Sequence, residues 1–282
     1  MKSPNVLPVN LDAIRLTVLG TGNMGEAVLA GALRAGIAPA NVTATERRPS
    51  QFAVLEQKYG VRATADNAAA VRDADVVVVA VKPKDVHGVL EEIGDTLPPH
   101  AVVVSVAVGL SAAFFEDRLP ARQPVVRVMP NTPAAIGAGM SALSPGRHAS
   151  QADVALVMAV FSGTGDVVEL PEASQAAAGA LSGSGPAYVF YVVDALAEAG
   201  VAVGLSRELA TRLAVQTVLG AARLLAETGE HPALARERVS SPGGTTIQAL
   251  RRLDAAGVRA AFLDAVEAAR DRTLEISAEL VR

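Results

Sequence analysis

The chain has 282 residues, half of them hydrophobic and 19% charged, with a formal net charge of −4. That is material for the cores of about two domains at ~150 residues each, and it excludes a disordered or fibrous chain. Both charge signs are spread without a basic tract or an acidic tail, which argues against a nucleic-acid partner, and the absence of cysteine excludes disulfides, a thiolate nucleophile and a thiolate metal site.

Residues 1–14 read as a loose leader, because MKSPNVLPVN holds two prolines and no apolar core of signal-peptide length. No run approaches the ~20 apolar residues of a membrane span, so a soluble, cytoplasmic protein is expected, with no membrane partner. Leu16–Leu19 is a short apolar strand that runs into Gly20, Thr21, Gly22, Asn23, Met24 and Gly25, and an Ala/Leu-rich helix follows to Ala35. Strand, glycine turn and helix form a dinucleotide fingerprint. Gly20 allows the turn, Gly22 admits a pyrophosphate, Gly25 lets helix and strand pack, and the helix start is an anion site. A second strand, 41–45, leads to Glu46, Arg47 and Arg48. The acidic residue argues for the 2′-hydroxyl of NAD and the arginines for the 2′-phosphate of NADP; the balance favours NADPH, with NADH as the alternative.

A helix over 51–59 and a short strand over 61–63 precede Asn67, read as the N-cap of a short helix. Residues 75–81 are a β-branched run of the kind buried on both faces of a parallel sheet. It ends in Ala80, Val81, Lys82 and Pro83, at the carboxyl edge where ligands bind in open α/β sheets. A strand over 102–106 ends in Ala107, Val108 and Gly109; Ser111 caps a helix over 112–119; the strand 125–129 runs into the rigid Pro130-Asn131-Thr132-Pro133 loop. A strand near 140–144, a helix over 150–161 and a strand over 166–169 close a first domain, 1–170, of α/β class.

Beyond Pro171 strands disappear and helical periodicity takes over. Helices are expected over 172–181, from Pro186 to 199 with a stop at Gly200, from Ser206 to 228, and over 247–256 and 258–282. This second domain, 171–282, is all-α, and its many small apolar residues point to a homodimer interface. Two loops carry small hydrogen-bonding groups, Leu181–Tyr188 (LSGSGPAY) and Ser240–Thr246 (SSPGGTT). In the latter, Pro-Gly-Gly and the helix opening at Thr245 and Thr246 suit a carboxylate. Neither loop holds a histidine, lysine or carboxylate, which disfavours strong general-base chemistry and suits positioning plus a hydride donor. His87, His100, His148 and His231 show no ligand spacing and read as surface or capping residues; no metal is called for.

The blocks VRVMPNTPAAIGAGM (126–140), LSGSGPAYVF (181–190) and SSPGGTTIQALRRL (240–253) resemble those of the pyrroline-5-carboxylate reductases. With the fingerprint and Ala80–Pro83, the resemblance covers about residues 14–280. It implies a Rossmann domain followed by an all-α dimerisation domain, and reduction of Δ1-pyrroline-5-carboxylate to L-proline with NADPH or NADH, the last step of proline biosynthesis. It also implies a homodimer, with five dimers joining into a ring in many members. By the same resemblance Gly20–Gly25, Asn67, Ala80–Pro83 and the backbone of Val106, Ala107 and Val108 contact the cofactor. Gly243, Gly244, Thr245 and Thr246 hold the substrate carboxylate, helped by Glu172, and Thr246 stands by the ring nitrogen. Family members vary at Glu46–Arg48, so cofactor preference is not carried over. A β-hydroxyacid dehydrogenase is the rival enzyme, but that class needs a lysine in its helical domain and this chain has none after Pro171. A non-catalytic dinucleotide sensor is the rival from another class, and it has no use for SPGGTT.

Overall fold

The structure is a computed structural model that describes residues 9–281. The start of the expected leader, 1–8, lies outside the described residues. The remainder is not loose: Val9 and Ile14 are half-buried and Leu11 is buried against the first hydrophobic cluster.

The described chain forms two compact units, one of residues 9–184 and 269–281, the other of 185–268. The first is built on eight strands: β1 (Leu16–Leu19), β2 (Val42–Thr45), β3 (Arg62–Thr64), β4 (Val76–Val79), β5 (Val102–Ser105), β6 (Val125–Met129), β7 (Gly139–Pro145) and β8 (Gly165–Glu169). Their order is β3-β2-β1-β4-β5-β6-β7-β8. Strands β3 to β6 run parallel, β7 is antiparallel to β6, and β8 is parallel to β7. The helices are α1 (Asn23–Ala35), α2 (Phe52–Tyr59), α3 (Asn67–Val71), α4 (Pro83–Ile93), α5 (Ala112–Glu116), α6 (Gln151–Phe161) and α7 (Gln175–Ala178). Alternation along β4 feeds both faces of the sheet. Val76 and Val78 enter a cluster with Val28 and Leu29 of α1 and Phe161 of α6, whereas Val77 and Val79 enter one with Val86 and Ile93 of α4 and Phe115 of α5. Apolar side chains on both sides of a parallel strand are what a doubly wound sheet requires.

Several details differ from the sequence reading. Asp66, not Asn67, caps α3: its carboxylate accepts from Ala69 N at 2.8 Å. Pro83 opens an 11-residue helix, α4, that the sequence reading passed over; its fixed φ suits the first helical position. The compact units do not divide at residue 170. Gln175 is buried, and its Nε2 donates to Ala142 O (3.2 Å) and Ser144 Oγ (2.8 Å) of β7, while Asn131 Nδ2 donates to Ser182 O (3.0 Å). These bonds hold residues 171–184 to the sheet. Residues 179–183, expected as the end of a helix and an interruption, instead form one π-helical stretch.

The second unit holds α8 (Gly185–Ala202), α9 (Arg207–Thr228), α10 (Pro232–Arg238) and α11 (Thr245–Ala255). The last helix, α12 (Val258–Val281), begins in this unit and ends in the first. Gly200 does not stop α8. It lies where a Cβ would come within 2.8 Å of Ala210 Cβ, so it is there for close approach of α9. The buried hydrophobics of residues 185–268 are three alanines, Ala197, Ala210 and Ala214, while Phe190, Leu213, Leu219, Leu224 and Leu263 are exposed. Helix α9 has the length and mean hydropathy of a membrane span, although Arg212 and Arg223 interrupt its apolar run.

Candidate functional site: a dinucleotide cleft

A cleft of about 690 Å³ lies at the carboxyl ends of β1, β2 and β4. Its floor is the glycine turn. Gly20 adopts φ +89°, and a Cβ there would press on Val81 Cγ1 (2.7 Å) and the Ala80 carbonyl. Gly25 is buried, and a Cβ there would collide with the Gly20 carbonyl oxygen. Gly22 differs from both: its backbone is extended and nothing lies within 4 Å of where a Cβ would be. No side chain caps α1 at Gly22, so the N–H groups of its first turn are left to a ligand. A cradle that a side chain would fill, at a helix N-terminus, fits a dinucleotide diphosphate.

One wall follows β2. Glu46 accepts hydrogen bonds from Thr21 Oγ1 (3.2 Å), Arg48 N (3.2 Å) and Arg48 Nε (3.1 Å). The Arg48 guanidinium beside it holds the Glu46 carboxyl below its usual range against the opposing effect of burial. Arg47 is almost fully exposed and reaches Asp85 Oδ2 at 3.3 Å. The opposite wall is α4, where Asp85, Gly88, Val89 and Glu92 recur at helical spacing along the cleft. Glu92 Oε2 accepts from Asn67 Nδ2 at 2.5 Å and so ties α3 to that wall. Lys82 and Lys84 stand where α4 begins.

Of the expected cofactor residues, Gly20, Thr21, Gly22, Arg47, Asn67, Ala80, Val81 and Lys82 line this cleft together. Asn23, Met24 and Gly25 form the first turn of α1, Pro83 is the first residue of α4, and Val106, Ala107 and Val108 follow β5; none of these lines it. The sequence reading missed Thr45, Ala65, Lys84, Asp85, Gly88, Val89 and Glu92. The last four were within reach, since Pro83 after a strand signals a helix start and its period puts 85, 88, 89 and 92 on one face.

The expected substrate residues fall in both units. Glu172 Oε1 accepts from Arg127 Nη1 at 2.7 Å; its Oε2 is buried without a donor, as is Gln175 Oε1. In the helical unit, Gly243 adopts φ +71°, and Gly244, at the extended N-cap of α11, has no room for a Cβ beside Ser241 Oγ. Thr245 and Thr246 form the first turn of α11, exposed and half-exposed, and no side chain caps that helix.

Residues 172–276 match the family model described as pyrroline-5-carboxylate reductase dimerisation, and residues 15–109 match NADP oxidoreductase coenzyme F420-dependent. A pyrroline-5-carboxylate reductase of Corynebacterium melassecola is 44% identical over 264 residues, covering 93% of this chain and 98% of the relative. The chain belongs to the pyrroline-5-carboxylate reductase family. The solved Coxiella burnetii pyrroline-5-carboxylate reductase superposes on this reductase with a TM-score of 0.90 at 37% identity, over 95% of this chain and 99% of the other. The Plasmodium falciparum pyrroline carboxylate reductase, solved with NADP bound, superposes with a TM-score of 0.84 at 29% identity, over 95% and 100%.

Proposed function

We propose that this chain reduces Δ1-pyrroline-5-carboxylate to L-proline with NADPH, the final step of proline biosynthesis, and that NADH is its weaker donor. The observation that carries this reading is the glycine cradle at Gly22, in a chain whose relatives are pyrroline-5-carboxylate reductases along nearly their whole length. The reduced nicotinamide supplies the hydride. The chain's own residues bind and orient. The first turn of α1 holds the diphosphate, and Arg47 and Arg48 pair with the 2′-phosphate, a dianion that a guanidinium meets bidentately. The loop Gly243–Thr246 holds the substrate carboxylate at the start of α11, where the Gly244 N–H is already spent on Ser241 O (3.0 Å) and the N–H groups of Thr245 and Thr246 open the helix. The Thr246 hydroxyl donates to the ring nitrogen of the neutral imine, which draws electron density from C5, or relays to that nitrogen the proton it takes up. Glu172 is assigned to the substrate set by the family resemblance; in the sheet unit its Oε1 accepts from Arg127 Nη1 at 2.7 Å.

Residues 1–170 serve as the dinucleotide-binding domain and 171–282 as the substrate-binding and dimerisation domain. The helical unit buries only alanines of its own and exposes Phe190, Leu219 and Leu263, so a second copy completes its core. The dimers join further into a ring of five, and the enzyme works in the cytoplasm. Loss of NADPH absorbance at 340 nm with purified protein and Δ1-pyrroline-5-carboxylate tests the reaction. No turnover with either nicotinamide would refute it, and light scattering separates a dimer from a ten-chain particle.

A further inference from the structure

The end of α12 returns to the sheet unit. Thr273, Ile276, Ser277 and Leu280 are half-buried at helical spacing, while Arg272, Glu275 and Glu279 pair with one another on the exposed side (Arg272 Nη1 to Glu275 Oε2 2.8 Å, to Glu279 Oε1 3.0 Å). The inward stripe meets the turn after β5. Gly109 adopts φ +84°, and the space a Cβ would take is filled by Leu280 Cδ1 (2.9 Å), Ile276 Cγ2 (3.4 Å) and Ser277 Oγ (3.6 Å). Leu280 also packs on the cluster that holds Ala107 and Leu110, the neighbours of that turn.

The sheet order gives this contact a direction. The diphosphate cradle is at β1 and the 2′-phosphate residues follow β2, so the adenosine half occupies the β2 side. On the side of β1 away from β2 the sheet continues through β4 to β5, and β5 leads into Val106–Gly109, just beyond the residues that line the cleft. The segment ends at Gly109, a positive-φ position, and α12 fills the space beside it. We infer that Leu280 and Ile276 are positioning residues for the nicotinamide half of the cofactor, acting through the Val106–Gly109 turn. This rests on the dinucleotide reading of the cleft.

The test is titration calorimetry of intact Leu280→Ala and Ile276→Ala proteins with NADPH and with 2′,5′-ADP, which carries only the adenosine half. The expected result is a rise of about fivefold or more in Kd for NADPH, Kd for 2′,5′-ADP within twofold of wild type, and recovery of NADPH affinity in Leu280→Met. In turnover the KM for NADPH rises with it. Unchanged NADPH affinity overturns the inference. So does a parallel loss for both ligands, which marks general loosening of the fold. Failure of the wild-type protein to bind either NADPH or NADH would instead sink the dinucleotide reading itself.

Discussion

Replacing Gly22 and Gly25 by alanine, one at a time, separates a ligand-facing glycine from a packing one, although the two are three residues apart. At Gly22 the backbone is extended (φ −68°, ψ −176°) and the site of a Cβ is open, so alanine fits without strain. Removing glycine's freedom from the unfolded chain then stabilises the protein by roughly 0.4–1 kcal/mol. The new methyl occupies the approach of the diphosphate, and a tenfold rise in Kd for NADPH corresponds to about 1.4 kcal/mol. At Gly25 the new Cβ overlaps the Gly20 carbonyl oxygen and comes within 3.1 Å of Ala80 Cβ. Neither is the far end of a flexible side chain, so α1 must lift from the turn at an overpacking cost of ~1–3 kcal/mol. Thermal unfolding and NADPH calorimetry read the two variants. Gly22→Ala keeps or raises Tm and loses affinity; Gly25→Ala lowers Tm by ~2–4 °C for each kcal/mol lost. A Gly22→Ala protein that binds NADPH like wild type would refute the diphosphate cradle.

Thr246→Ala should lower kcat/KM for the imine by about tenfold, one lost transition-state hydrogen bond at ~1.4 kcal/mol, with the Kd for NADPH unchanged; an unaltered kcat/KM removes Thr246 from the mechanism. The double variant Arg47→Ala/Arg48→Ala should raise the KM for NADPH roughly tenfold and leave that for NADH within about twofold, and equal losses for both would contradict the 2′-phosphate role. The Glu26 carboxylate accepts from Lys58 Nζ and Tyr59 Oη, both at 2.7 Å, and the Lys58 bond, then the Tyr59 bond, hold its carboxyl below the usual value of about 4.5. A depressed carboxyl stabilises the fold above its unfolded value and loses that contribution as pH falls through its folded value. Glu26→Gln should therefore be less stable than wild type by ~0.5–1 kcal/mol at pH 7, with the gap closing below about pH 4 in urea titrations. A gap that is constant with pH refutes the ionic origin.

The sheet was largely legible in the sequence because its strands are short β-branched runs bounded by turn residues; Val76–Val79 and Val125–Met129 stand out for that reason alone. The glycine cradle was legible because each glycine's spacing has a steric cause. What stayed hidden depends on contacts between distant segments. Gly200 looks like a stop until Ala210 of α9 is seen against it. The boundary at 170 followed the end of the last strand, whereas the bonds of Gln175 to β7 and of Asn131 to Ser182 carry the sheet unit on to 184. Asp66 won the cap over Asn67 because its carboxylate reaches Ala69 N, a choice of one residue that propensity does not make.

Helix α1 is pinned by backbone at two heights. Below, Gly25 rests on the Gly20 carbonyl; higher up, Gly31 lies against Thr164, and a Cβ on Gly163 would strike the Gly31 carbonyl oxygen. Arg34 closes the far end, its guanidinium donating to the carbonyls of Gly163 (2.8 Å) and Ala134 (2.9 Å). A helix so wedged has no slack to take up, so its N-terminus cannot adjust to a displaced diphosphate. Inactivating substitutions at Gly31 or Gly163 would thus be easily misread in a mutational screen: remote from every reacting atom, they would silence the enzyme by tilting the helix that aims the cofactor.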